Sequence, residues 1–275
     1  MSRPIYRVLA ALAVMALGLI VAWPLFSEEA GDEPAPPAKA GPVAGAEYVG
    51  SAKCAHCHGH AMAAWKLTGH ATTFQVHVPE TTTLPDETVA RHVTAFDAAT
   101  HKWLEAGVGC EACHGPGSLH IKASHQDRAA TIINPKLGRV DADVSYSVCA
   151  QCHARYTTKT GERWAKGFVP GMNLLPTLRL DAAKQGVTSQ QFNEMQSSKH
   201  LESNVTCVRC HNVHDPKGPA QPHLLRFAMA DTCAKCHPDQ ADIKKHAPRA
   251  KAGATCATCH MPGGRHVFSI PRGRS

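Results

Sequence analysis

The chain has 275 residues, a formal net charge of +7 and 5 % aromatic residues, with abundant glycine, proline and histidine. So few aromatics exclude an ordinary aromatic-filled core for a domain of this size. All twelve cysteines fall within six copies of Cys-X-X-Cys-His, which leaves none for a disulfide framework.

In chain order, residues 1–7 carry two arginines, and the 19 residues from Val8 to Phe26 carry no charge. A helix of that length spans roughly 28 Å, close to the ~30 Å hydrocarbon core of a bilayer and longer than the usual secretory apolar segment. The segment reads as a retained signal anchor in preference to a cleaved signal peptide, although AKA at 38–40 leaves a later cut open. In both cases the positive flank stays in the cytoplasm and the rest is exported to the periplasmic side, anchored or soluble. Residues 27–46 are acidic, then rich in Pro, Ala and Gly, and make a solvated tether.

From Glu47 to Ser275 the chain reads as one unit. The motifs are CAHCH (Cys54, Cys57, His58), CEACH (Cys110, Cys113, His114), CAQCH (Cys149, Cys152, His153), CVRCH (Cys207, Cys210, His211), CAKCH (Cys233, Cys236, His237) and CATCH (Cys256, Cys259, His260). Two thiols at this spacing reach the two vinyl groups on one porphyrin edge, and the following imidazole turns under the iron as proximal ligand. Zinc sites and disulfides also use paired cysteines, but neither requires histidine after every second one. At this histidine content, chance would supply all six with a probability of roughly one in ten million. The sequence therefore predicts six covalently bound haem c groups, three within 47–160, none in 161–195, and three within 196–275.

Short amphipathic helices are expected at 60–68 and 239–246, and no alternating run demands a sheet. The predicted fold class is mainly α with extensive irregular loops, its core formed largely by six haems. Gly115, Pro116 and Gly117 read as a turn that lets the chain leave a haem edge, and Trp65 and Trp103 as porphyrin packing.

Charge has to be counted with the cofactors. From Glu47 onward there are 26 Lys and Arg against 18 Asp and Glu. Two propionates per haem and one positive charge per ferric core bring the loaded domain to roughly +2 oxidised and −4 reduced. The basic residues are accordingly propionate partners, and no nucleic-acid partner is implied.

Thirteen histidines remain beyond the six proximal ones, enough for a second imidazole on every iron. A distal ligand approaches from the opposite face, with its Cα on the order of 12 Å from that of the proximal residue, whereas three residues extend at most about 11 Å. His214 therefore cannot serve the haem of His211, nor Met261 that of His260, but His214 can serve a neighbour.

The segments YVGSAKCAHCH with AAWKLTGHA, GCEACHGPGSLH, MQSSKHLESNVTCVRCHNVHDP, and CATCHMP with RHVFSIPRG resemble the periplasmic multihaem cytochromes. Within that group the likeness is to the doubled-CxxCH type and the tetrahaem cytochrome c of ammonia oxidisers. The resemblance covers nearly everything after about residue 47 except the middle stretch. It implies distal ligands at His70, His120, His200, His214 and His266; His246, which precedes a motif in the same way, completes six. His56, His60, His77, His92, His101, His125 and His223 are left as solvated or supporting residues, with His125 and His223 in reserve as ligands.

Iron with two imidazoles is coordinatively saturated, which suits electron movement and blocks substrate binding. The expected function is single-electron transfer between a quinol-side donor at the membrane and a periplasmic or outer-membrane acceptor, both redox proteins, with no catalytic residues. The main alternative is an oxidoreductase acting on a small nitrogen or sulfur oxyanion at one open haem. No CxxCK motif is present to supply the lysine-ligated haem of ammonia-forming nitrite reductases. A third reading, a subunit of an extracellular haem filament, is opposed by a retained anchor.

The mature protein should carry six covalent haems and no free thiol. Intact mass should exceed the polypeptide by six increments of roughly 616 Da, and fewer increments with alkylatable cysteines would contradict the count.

Overall fold

Each haem-attachment motif sits on a helical turn, and the rest of the fold brings these turns together. In the computed structural model the described residues are 42–78, 84–133, 141–214 and 224–269. The expected anchor at 8–26, most of the tether at 27–46, and His223 lie outside them. Among the described residues no helix is long and apolar enough to cross a membrane.

The first half contains helices α1 (Ser51–Cys54), α2 (Gly59–Trp65), α3 (Gly69–His77), α4 (Asp86–Ala90), α5 (Cys110–His114), α6 (Ser118–Lys122) and α7 (Ala142–His153). Then follow α8 (Gln191–Met195), α9 (Lys199–Glu202), α10 (Met229–Ala234), α11 (Ile243–His246) and α12 (Cys256–His260). The helices expected at 60–68 and 239–246 correspond to α2 and to α11, the latter preceded by a 3-10 turn at Pro238–Gln240. Only α7 exceeds nine residues among them, and isolated helices this short are marginal in water, so tertiary ties must hold them.

Two small antiparallel ladders are additions that the pattern did not suggest. Strand β1 (Val93–Thr94) pairs with β2 (Glu105–Ala106), and β3 (Tyr156–Thr158) with β4 (Leu178–Leu180). Strands of two or three residues are too short to display a period of two, so their pairing is a tertiary matter.

The haem-free stretch supplies a conventional core. Tyr146, Ala150 and Ala154 from α7 and its end pack with Tyr156, Phe192 and Met195, and Leu175, Leu178 and Leu180 join them from the side. The middle of the chain is therefore more than a connection: it builds the apolar platform on which the third motif rests. Arg91 fastens α4 to the same place, donating to Cys152 O and Ala154 O at 3.0 and 3.1 Å and lying over the Tyr156 ring.

Around the second motif the ties are polar. Glu111, the residue after Cys110, is 1 % exposed. Its carboxylate accepts from Val49 N (3.0 Å), Gly50 N (2.7 Å) and Gly117 N (2.7 Å). One charged group thus holds the strand entering α1, the attachment helix α5 and the turn after it. Gly115 ends α5 at φ 75°, and a Cβ there would lie 3.3 Å from Pro170 O, so the expected Gly-Pro-Gly turn exploits a backbone conformation open to glycine.

Glu111→Ala would orphan three buried N–H groups and should cost about 3–5 kcal/mol. Glu111→Gln, which keeps one acceptor oxygen, should cost less. The midpoint of guanidinium unfolding of the holoprotein measures both.

Candidate haem sites

The backbone of the motifs explains their chemistry. His58 N donates to Cys54 O at 2.9 Å, His211 N to Cys207 O at 3.0 Å and His237 N to Cys233 O at 3.0 Å. One helical turn places the two cysteines three apart on one face and lets the histidine project beside them.

Each motif histidine faces a second histidine from elsewhere in the chain. The ring centroids are 6.3 Å apart for His58–His120, 6.0 Å for His153–His70 and 5.7 Å for His114–His214. For His211–His266, His237–His200 and His260–His246 each separation is 6.0 Å. An iron bound on both sides by imidazole nitrogen at roughly 2.0 Å sets ring centres about 6 Å apart, so the gaps fit. A contrasting pair, His77 and His92, stacks at 4.7 Å, too close for an ion between the rings. The five histidines that the family resemblance implied as distal partners, and His246 added to them, thus each lie opposite a motif histidine, and His214 faces the second motif and not its own. Among the described residues no group of three or more His, Cys, Asp or Glu side chains converges as a metal site; paired imidazoles leave the remaining positions to a porphyrin.

The far nitrogens explain the ring orientations. His120 Nδ1 is 2.8 Å from Arg128 O, His260 Nδ1 2.9 Å from Ser269 O and His153 Nδ1 3.2 Å from Gln191 Oε1. A proton held at Nδ1 by such a partner leaves the Nε2 lone pair free for metal. Burial, aided by His153 and His211, lowers the pKa of His70 to about 4. Burial, with His214, His58 and His120 nearby, does the same for His114, also to about 4. Both rings are therefore neutral donors at physiological pH.

Long-range ties deliver the distal rings. Val108 N donates to His70 O at 2.9 Å, and a Cβ on Gly107 (φ 95°) would meet Ala71 O at 2.7 Å, so α3 lies hard against this loop. Buried Glu194 accepts from Arg265 Nε at 2.9 Å and from His266 N at 2.8 Å, which draws the C-terminal segment back over the fourth motif. Glu111, Glu194, Gln191 and Arg91 escaped the sequence reading because nothing local marks them; a buried carboxylate among short helices is recognisable only from its partners.

A cavity of about 210 Å³ reaches Cys152, its walls mixing Tyr48, Val93, Phe96, Trp164 and Phe168 with Arg91 and Gln151. Among the described residues Arg128 Nε is a buried donor without a protein partner, and its backbone carbonyl holds His120; a haem propionate there would satisfy such a donor. Trp65 Nε1 donates to Val108 O at 2.9 Å, and Trp103 packs on Phe74 with centroids 5.3 Å apart.

The family described as cytochrome c554 and c-prime matches residues 53–115, and the doubled CXXCH motif matches residues 200–242. Cytochrome c-554 of Nitrosomonas europaea is 26 % identical over 156 residues, which is 46 % of this chain and 65 % of that protein. The chain therefore spans somewhat less than two thirds of that relative's length. Among solved structures, the outer cell wall cytochrome OcwA aligns with a TM-score of 0.59 at 18 % identity, covering 82 % of this chain and 80 % of its own. An undecahaem cytochrome from the S-layer of Carboxydothermus ferrireducens aligns at a TM-score of 0.45 and 18 % identity, over 82 % of this chain and 52 % of its own. The chain is a multihaem c-type cytochrome that binds haem covalently through CXXCH motifs. More particularly, it is related to the cytochrome c-554 of ammonia oxidisers.

Proposed function

We propose that this chain is an exported six-haem electron carrier in which every iron has two imidazole ligands. The ligand pairs are His58 with His120, His114 with His214, His153 with His70, His211 with His266, His237 with His200, and His260 with His246. One observation carries the reading: each motif histidine faces another histidine across a gap of iron size.

A bound haem c supplies an iron that exchanges one electron between its ferrous and ferric states. The protein's part is to close both axial positions, so that no small molecule competes and ligand rearrangement stays small. Hydrogen bonds at Nδ1 hold the rings in place, and low-polarity walls together with lysines and arginines near the propionates tune the potentials. The donor is a membrane-side redox protein and the acceptor a periplasmic or outer-membrane one, with residues 8–26 serving as anchor or export signal. On this reading no substrate is transformed.

Two measurements test the reading. Carbon monoxide should leave the spectrum of the reduced protein unchanged, and His214→Ala should create one high-spin haem, attached at Cys110 and Cys113. Native binding of carbon monoxide together with turnover of nitrite or hydroxylamine would favour the oxidoreductase alternative.

Ring orientation gives an independent signature. Four pairs are near-parallel, at 18°, 20°, 28° and 31°, and two, His153–His70 and His237–His200, are near-perpendicular at 79° and 88°. Parallel imidazoles split the iron orbitals that perpendicular ones leave nearly degenerate. Electron paramagnetic resonance of the oxidised protein should therefore resolve rhombic and strongly anisotropic low-spin signals in a ratio of about four to two.

A further inference from the structure

We infer that the six attachment sites form one unbranched file in chain order, each motif packed against the next. The inference rests on the six-haem reading and adds to it the order of the sites.

The contacts run as follows along the chain. Helix α1 packs on α5, and Cys110 N donates to Ser51 Oγ at 2.9 Å. Helix α5 packs on α7, and Gln151 Nε2 donates to Ala112 O at 3.0 Å. Helix α7 packs on the Cys207–Arg209 turn. Arg226, on the segment leading into α10, donates from N to Cys210 O at 2.8 Å. Helix α10 packs on α12.

Each motif thus packs on the one before it and the one after it, so haems bound at successive motifs would lie next to one another. Every hop oxidises one ferrous site and reduces its ferric neighbour, with no bond made or broken. A one-electron reductant at one end and a one-electron oxidant at the other complete the balance.

The order is tested first on the unaltered holoprotein by crystallography with anomalous scattering at the iron edge. The shortest porphyrin edge-to-edge contacts should join successive motifs; a closest contact between non-successive motifs, with a gap inside the series, overturns the file. Kinetics give a second test. A ruthenium photosensitiser on His60→Cys, the sole free thiol of that variant, injects electrons at the first site. His246→Met marks the sixth site by its altered spectrum. Adding His70→Met, which raises the potential of the third site, should slow arrival at the sixth by more than tenfold, whereas unchanged arrival would mean a bypass. Carbon monoxide binding with the order intact would defeat the six-ligand-pair reading alone, and a different order among six low-spin haems would defeat this inference alone.

Discussion

On the two-imidazole reading one geometric constraint governs the structure: a sixth ligand for each iron would have to come from the opposite face of the porphyrin. A motif holds one face, and the few residues after it cannot reach round the macrocycle. Each distal histidine is therefore borrowed from elsewhere, and the borrowing organises the chain. His120, just after the second motif, faces the first; His214, just after the fourth, faces the second; His266, just after the sixth, faces the fourth. The six pairs act as long-range staples in a protein whose helices are too short to stand alone.

This stapling also explains the division of labour in the polypeptide. Where the motifs crowd together, the chain contributes turns, thiols and imidazoles, with a few buried carboxylates as clamps. Glu111 gathers three backbone N–H groups around the second motif, and Glu194 holds the segment bearing His266. Such carboxylates are stable when buried because each is saturated with donors. The stretch between residues 161 and 195 contributes Phe192 and Met195 to an ordinary apolar core whose other members, Tyr146, Ala150, Ala154 and Tyr156, come from the third attachment helix and the residues after it. The core is thus shared between the motif-free stretch and the chain that carries the third motif.

Every motif histidine has an imidazole opposite it; on the proposed two-imidazole reading these rings would close the axial position that a catalytic haem leaves to its substrate. The perpendicular and parallel pairs are different electronic environments made from identical ligands, set by backbone entry angles and Nδ1 partners and not by residue type.

Sequence alone determined the cofactor class and predicted six attachment points with six proximal histidines, because covalent attachment needs its residues at fixed local spacing. It also ruled His214 out for its own haem, a matter of chain reach. Resemblance to known cytochromes picked out five of the thirteen spare histidines, and the place of His246 before a motif added a sixth, but neither said which partner each would face. Only the tertiary structure paired His70 with His153 and His200 with His237, found Glu111 and Glu194, formed the short ladders, and set the motifs side by side. Those features rest on contacts between residues distant in sequence, whose energies depend on burial and relative orientation, and neither property is carried by a local pattern of residue types.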